Sequence, residues 1–138
     1  MKEIVNVSWM DGMAFEASVS GKKLIMDADA SVGGNDRGPR PKPLMMVSVA
    51  GCTGMDVISI LEKMRVKVDK FNVRVEGELT EEHPKHFSKM NIIYEFYGKD
   101  LPITKLEKAV NLSQDRYCGV SFNYRKSFEI SHEIKIVE

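Results

Sequence analysis

Leu44-Met45-Met46-Val47-Ser48-Val49-Ala50-Gly51-Cys52-Thr53-Gly54-Met55-Asp56-Val57-Ile58-Ser59-Ile60-Leu61 is the stretch whose reading decides the fold. It holds no proline, and its density of apolar residues predicts a helix from about Leu44 to Met64, with Pro43 suited to the first turn. The apolar side chains do not keep to one stripe. They surround the axis over the first turns, and a helix apolar all round must be covered all round. A chain of 138 residues cannot easily do this alone. One face is expected on a sheet, and the other against a second layer, most simply the same helix of a second copy. Ser48, Gly51, Thr53, Gly54, Asp56 and Ser59 interrupt the stretch, so it is not expected to span a membrane. The charged end, Glu62-Lys63-Met64-Arg65, is expected in solvent.

Towards the N-terminus the helix is preceded by Gly33-Gly34-Asn35-Asp36-Arg37-Gly38-Pro39-Arg40-Pro41-Lys42-Pro43, too rich in breakers for regular structure and locally basic. Before it, Ile4 to Trp9, Met13 to Val19 and Lys23 to Asp27 read as strands joined at Asp11-Gly12 and Ser20-Gly21, an antiparallel meander. Beyond the helix, Phe71 to Leu79 and Phe87 to Tyr97 alternate as strands, the second with Met90, Ile92, Tyr94 and Phe96 on one side. A helix of about fourteen residues follows Leu101-Pro102 and is expected to stop at Gly119. Phe128 to Val137 alternates as a final strand. The order βββ-α-ββ-α-β, with helices segregated from meandering strands, predicts an α+β fold, an antiparallel sheet packed on long helices, in one domain over residues 1–138.

Lys plus Arg is 20 and Asp plus Glu is 20, a balance that provides no field of one sign for nucleic acid or an anionic membrane; neither is expected as a partner. The N-terminus carries no apolar signal region, and a cytoplasmic location is expected. In that compartment Cys52 and Cys118 are either buried thiols or redox-active, not a structural disulfide. Glycines flank Cys52 and leave room beside its sulfur, and Arg37, Arg40 and Lys42 supply cations just ahead of the helix. Asp56, one turn on, sets a carboxylate on the same helix face. His83 and His86 sit in a polar stretch with no zinc-like spacing, and the cysteines are far apart in sequence, so no metal and no other cofactor is expected. Met45, Met46 and Met55 read as adaptable apolar filler.

Gly38-Pro39-Arg40-Pro41, the helix with Ala50-Gly51-Cys52-Thr53-Gly54-Met55-Asp56-Val57, and Ser113-Gln114-Asp115-Arg116-Tyr117-Cys118-Gly119-Val120-Ser121 form a pattern along essentially the whole chain. It resembles the osmotically inducible protein C / organic hydroperoxide resistance (OsmC/Ohr) superfamily, in its less characterised OsmC-like branch. The resemblance implies an intertwined homodimer with two central helices at its heart and an active site at each subunit interface. It implies a thiol-dependent peroxidase for oxidative stress defence, reducing organic hydroperoxides to alcohols. Cys52 would be the peroxidatic cysteine and Cys118 the resolving one, with regeneration by an external dithiol. Arg37 or Arg40 would stabilise the thiolate or substrate, and Met45, Met46 and Met55 would line an apolar pocket. The active branches hold an arginine near the cysteine with a glutamate about ten residues before it; here that stretch reads Pro41-Lys42-Pro43-Leu44. The alternative on the same scaffold is therefore a dimer that binds a small apolar ligand or senses redox state without peroxidase activity.

Overall fold

The computed structural model describes residues 1–138. The backbone divides into two compact units, Met1–Met45 and Met46–Glu138.

The N-terminal unit is an antiparallel meander of β1 (Asn6–Asp11), β2 (Ala14–Val19) and β3 (Lys22–Met26). Its first turn lies where Asp11-Gly12 predicts it: Gly12 takes φ 53°, and the Trp9 indole N–H donates to its carbonyl at 2.9 Å. A short 3₁₀ turn, Ala30–Val32, follows, and the proline- and glycine-rich segment then runs without regular structure to Pro43. Asp27 organises this segment. Its buried carboxylate accepts from the backbone N–H groups of Ala28, Asn35 and Arg37 and from the Arg37 guanidinium. Burial alone would raise the Asp27 carboxyl, but those bonds outweigh it and hold the group at about 2. Gly34 is required by the same fold-back, since a Cβ there would stand 1.9 Å from the Ala28 carbonyl oxygen.

The C-terminal unit is built on β4 (Lys70–Leu79), β5 (Phe87–Tyr97) and β6 (Glu129–Val137), in that order. β4 and β5 pair antiparallel, but β5 and β6 pair parallel. The sheet is therefore mixed, unlike the antiparallel one expected. The reason is the connection, because parallel neighbours need a long crossover and the helical stretch between β5 and β6 provides it. Central β5 buries Met90, Ile92, Tyr94 and Phe96 together, as its alternation predicts. Phe71 stacks on Phe96 and Tyr94.

α1 (Pro43–Lys63) is the helix predicted. It buries the stripe Val49, Thr53, Val57 and Leu61, and Gly54 permits close approach to Val73 of β4, whose Cγ2 would lie 3.4 Å from an added Cβ. The opposite stripe, Val47, Gly51, Met55 and Ile58, is open, with Val47 62% and Met55 76% exposed. Covering α1 all round is not achieved within one chain. Polar interruptions notwithstanding, α1 is long and apolar enough to cross a membrane by length and composition. Its buried stripe is the packing of a core helix.

The second helical stretch departs from the sequence reading. α2 (Ile103–Leu112) passes directly into a single π turn, Ser113–Tyr117. Gly119 does not close a helix. It opens a further one, α3 (Gly119–Arg125), for which Cys118 is the N-cap. Capping accounts for this reversal: the Cys118 sulfur accepts from the Ser121 N–H at 3.4 Å, a role that Ser, Thr, Asn and Asp usually fill.

Candidate redox site

Cys52 lies on α1, half-buried, next to the buried Thr53. Cys118 is 3% exposed at the junction of the π turn and α3. Sixty-six positions apart in the chain, the two sulfurs come together: Cys52 Sγ, Cys118 Sγ and a carboxylate oxygen of Asp56 all lie within 4.8 Å of one another. Both cysteines are free thiols. Burial pushes the Cys118 thiol up; Ser121 opposes that through its hydroxyl and N–H, and the neighbouring Cys52 sulfur adds to the rise. Cys118 is thus the deeper of the pair and ionises less readily than a free cysteine, and Cys52 is the one open to an incoming molecule.

Beneath the sulfurs runs a buried polar network that the sequence did not reveal. Ser113 Oγ donates to Asp56 Oδ2 at 2.9 Å. A serine hydroxyl has one proton to give, and this bond commits it. Thr53 Oγ1, 2.7 Å from Ser113 Oγ, must then be the donor to Ser113. With its proton used, Thr53 accepts from the Tyr94 hydroxyl at 2.6 Å. Tyr94 in turn accepts from Gln114 Nε2 at 2.7 Å, and Gln114 Oε1 accepts from Arg125 at 3.1 Å. Burial pushes the Tyr94 phenol up, with Thr53 and Gln114 pulling the other way, so it remains a donor. The donors run Arg125, Gln114, Tyr94, Thr53 and Ser113, and Asp56 is the last acceptor. The network starts at a cation and ends at the carboxylate beside both sulfurs, each bond polarising the next.

A groove of about 310 Å³ opens beside this group, lined by Asp56, Ser59, Ile60, Lys63, Leu112 and Tyr117. None of the three methionines expected to form a pocket lines it. Met46 packs towards Gly77 of β4, where its sulfur would be 2.9 Å from an added Cβ. Met55 is on the open face of α1, and Met45 is half-buried at the end of the N-terminal unit. Both arginines singled out in the sequence belong to the N-terminal unit and are engaged by carboxylates there. Arg37 bridges Asp11 at 2.7 Å and Asp27 at 3.1 Å, and Arg40 pairs with Asp36. Arg125, tied into the network through Gln114, is the cation that sequence reasoning passed over. The loop histidines His83 and His86 are exposed and lie in no such cluster.

The fold recurs in known proteins. Residues 33–133 match the family model described as OsmC-like protein. Protein YhfA of Escherichia coli (strain K12) is 33% identical over 132 residues, covering 95% of this chain and 96% of its own. A crystal structure of a hypothetical protein from Aquifex aeolicus VF5 superposes with a TM-score of 0.82 at 30% identity, over 100% of this chain and 99% of that one. The organic hydroperoxide resistance protein OhrB of Bacillus subtilis shares the fold at 18% identity, with a TM-score of 0.65 over 98% of both chains. The fold, the family model and the relatives agree: the chain belongs to the OsmC-like protein family.

Proposed function

We propose that this protein is a thiol-dependent peroxidase that reduces organic hydroperoxides to alcohols. The observation that carries the reading is the approach of the Cys52 and Cys118 sulfurs to within 4.8 Å, one half-exposed and one buried. The Cys52 thiolate attacks the terminal peroxide oxygen; the O–O bond breaks, the alcohol leaves with a proton, and Cys52 becomes a sulfenic acid. Cys118 then attacks the Cys52 sulfur, water leaves, and a disulfide forms. An external dithiol of the cytoplasm restores both thiols and carries the electrons. A sulfur separation of this size closes to a bond by local movement of the side chains and the π turn. The open stripe Val47, Gly51, Met55 and Ile58 supports a homodimer paired through α1.

Consumption of cumene hydroperoxide with dithiothreitol as reductant tests the reading. Wild type turns over, Cys52→Ser is inactive, and Cys118→Ser loses catalytic turnover while still losing its Cys52 thiol to one equivalent of peroxide. Normal consumption by Cys52→Ser refutes it. One observation favours a second reading, a dimer that binds an apolar ligand or senses redox state: Arg37 and Arg40, the cations expected to serve Cys52, are each held by acidic partners. Slow thiol loss with organic peroxide and hydrogen peroxide alike is the outcome that selects it.

A further inference from the structure

Spacing along the sequence gives no metal motif, because the ligand types are split between α1 and the π turn–α3 junction. Folding removes that separation. Two cysteine sulfurs and one carboxylate oxygen, from Cys52, Cys118 and Asp56, converge within 4.8 Å. We infer that the reduced protein binds one zinc ion per chain through Cys52, Cys118 and Asp56.

The donor set selects the metal class. Two thiolates and a carboxylate suit a borderline-soft divalent ion and disfavour magnesium or calcium, which take oxygen ligands. A zinc ion bound at about 2.3 Å from each sulfur holds two thiolates roughly 3.8 Å apart, so small side-chain rotations complete the site. Asp56 and Cys52 are one turn apart on the same helix and present their ligands from one rigid element. Asp56 is also oriented from behind, since Ser113 Oγ donates to its Oδ2 at 2.9 Å. A hydrogen bond of this kind fixes a ligating carboxylate. Three protein ligands leave a fourth position for water, on the side where Cys52 is half-exposed. On binding, each thiol gives up its proton to solvent and no electrons move. Disulfide formation between the same sulfurs removes two of the three ligands. Zinc and oxidation therefore compete for the site, and bound zinc protects the cysteine pair.

Cobalt(II) and zinc(II) are the probes, added to reduced, chelator-stripped full-length protein. Expected are saturation at one Co²⁺ per chain with a thiolate-to-cobalt band in the near-ultraviolet, and displacement of that band by Zn²⁺. The band disappears in Cys52→Ser, in Cys118→Ser and in the disulfide form. Competition with a chromophoric chelator is expected to show zinc affinity weakened roughly tenfold in Ser113→Ala, and further in Asp56→Asn. Circular dichroism confirms that each variant is folded; a variant that is not is replaced by wild type alkylated at both thiols, in which the band is again lost. Absence of the band in wild type overturns the inference. So does a band unchanged in Cys118→Ser, or zinc affinity unchanged in Asp56→Asn. Peroxide turnover, measured separately in excess chelator, leaves the metal result independent of the peroxidase reading.

Discussion

Thr53→Val is the sharpest probe of the buried network, because it exchanges a hydroxyl for a methyl of similar size at a side chain that is 0% exposed. Valine keeps the apolar contacts of α1 with the sheet and alters the helix propensity little. It removes two short bonds, 2.6 Å to Tyr94 and 2.7 Å to Ser113, and a longer one donated by Gln114 Nε2 at 3.3 Å. Because the donor order is fixed by Asp56, the losses are unequal. Ser113 still donates to Asp56 and forfeits only an acceptor contact. The Tyr94 proton is left buried with no acceptor, and an orphaned donor costs about 1–3 kcal/mol. Adding the Ser113 contact at about 0.5–1 kcal/mol puts the destabilisation at about 1.5–4 kcal/mol. Tyr94→Phe removes the orphan together with its proton and should cost only about 1 kcal/mol. Thr53→Val should therefore cost more than Tyr94→Phe, which leaves Gln114 Nε2 its bond to Thr53. Urea unfolding at one fixed protein concentration compares both variants with wild type. Equal losses, or a Thr53→Val loss below about 0.5 kcal/mol, would refute the assigned donor order.

Four further outcomes are expected. Asp27 has a folded value of about 2 against an ordinary 3.8, so it stabilises fully above the ordinary value and progressively less as pH falls towards 2; Asp27→Asn should flatten acid unfolding in that window, and an unchanged acid profile would contradict the sign. Gly77→Ala sets a Cβ 2.7 Å from Phe87 and 2.9 Å from the Met46 sulfur, and thermal unfolding should show a loss of about 1–3 kcal/mol from overpacking. Met55→Glu charges a side chain 76% exposed in the single chain, so it should leave the secondary structure intact by circular dichroism while sedimentation shifts from dimer to monomer; an unshifted dimer would place the pairing surface elsewhere. Reduced wild type given one equivalent of cumene hydroperoxide should lose two thiols per chain and two hydrogens in intact mass, whereas Cys118→Ser should lose one thiol.

The frame of the molecule was legible because it follows from periodicity and punctuation. The alternation of Phe87 to Tyr97 exposed the central strand, and the prolines and glycines between Gly33 and Pro43 marked the loop. The all-round apolar character of α1 announced an uncovered face that one chain indeed leaves open. What stayed hidden depends on chain path. Parallel pairing of β6 cannot be read from its alternation, which is the same in either direction. Cys118 looked like the last residue of a helix and is the cap of the next, because Gly119 suits a helix start as well as a stop. Cys52 and Cys118 stood out as two separate residues, but their proximity to Asp56 and the network under them join α1, β5 and the π turn. The Thr53, Tyr94, Ser113 and Gln114 positions are ordinary polar or aromatic residues in isolation, and only their burial together gives them a role. Arg37 and Arg40 attracted attention by sequence proximity, while their acidic partners Asp11, Asp27 and Asp36 were not weighed.

The π turn at Ser113–Tyr117 carries a consequence for how this site tolerates change in length. A π turn is an α-helix holding one surplus residue. Deleting a single residue there would let the segment relax into an ordinary helix. All that follows would then rotate by about 100° and shift by about 1.5 Å along the axis. Cys118 would still be encoded, but its sulfur would swing away from Cys52 and Asp56. Pairing of the two thiols is thus a matter of phase as well as of composition. Two chains with both cysteines intact can differ in it by a one-residue gap that an inventory of side chains would miss.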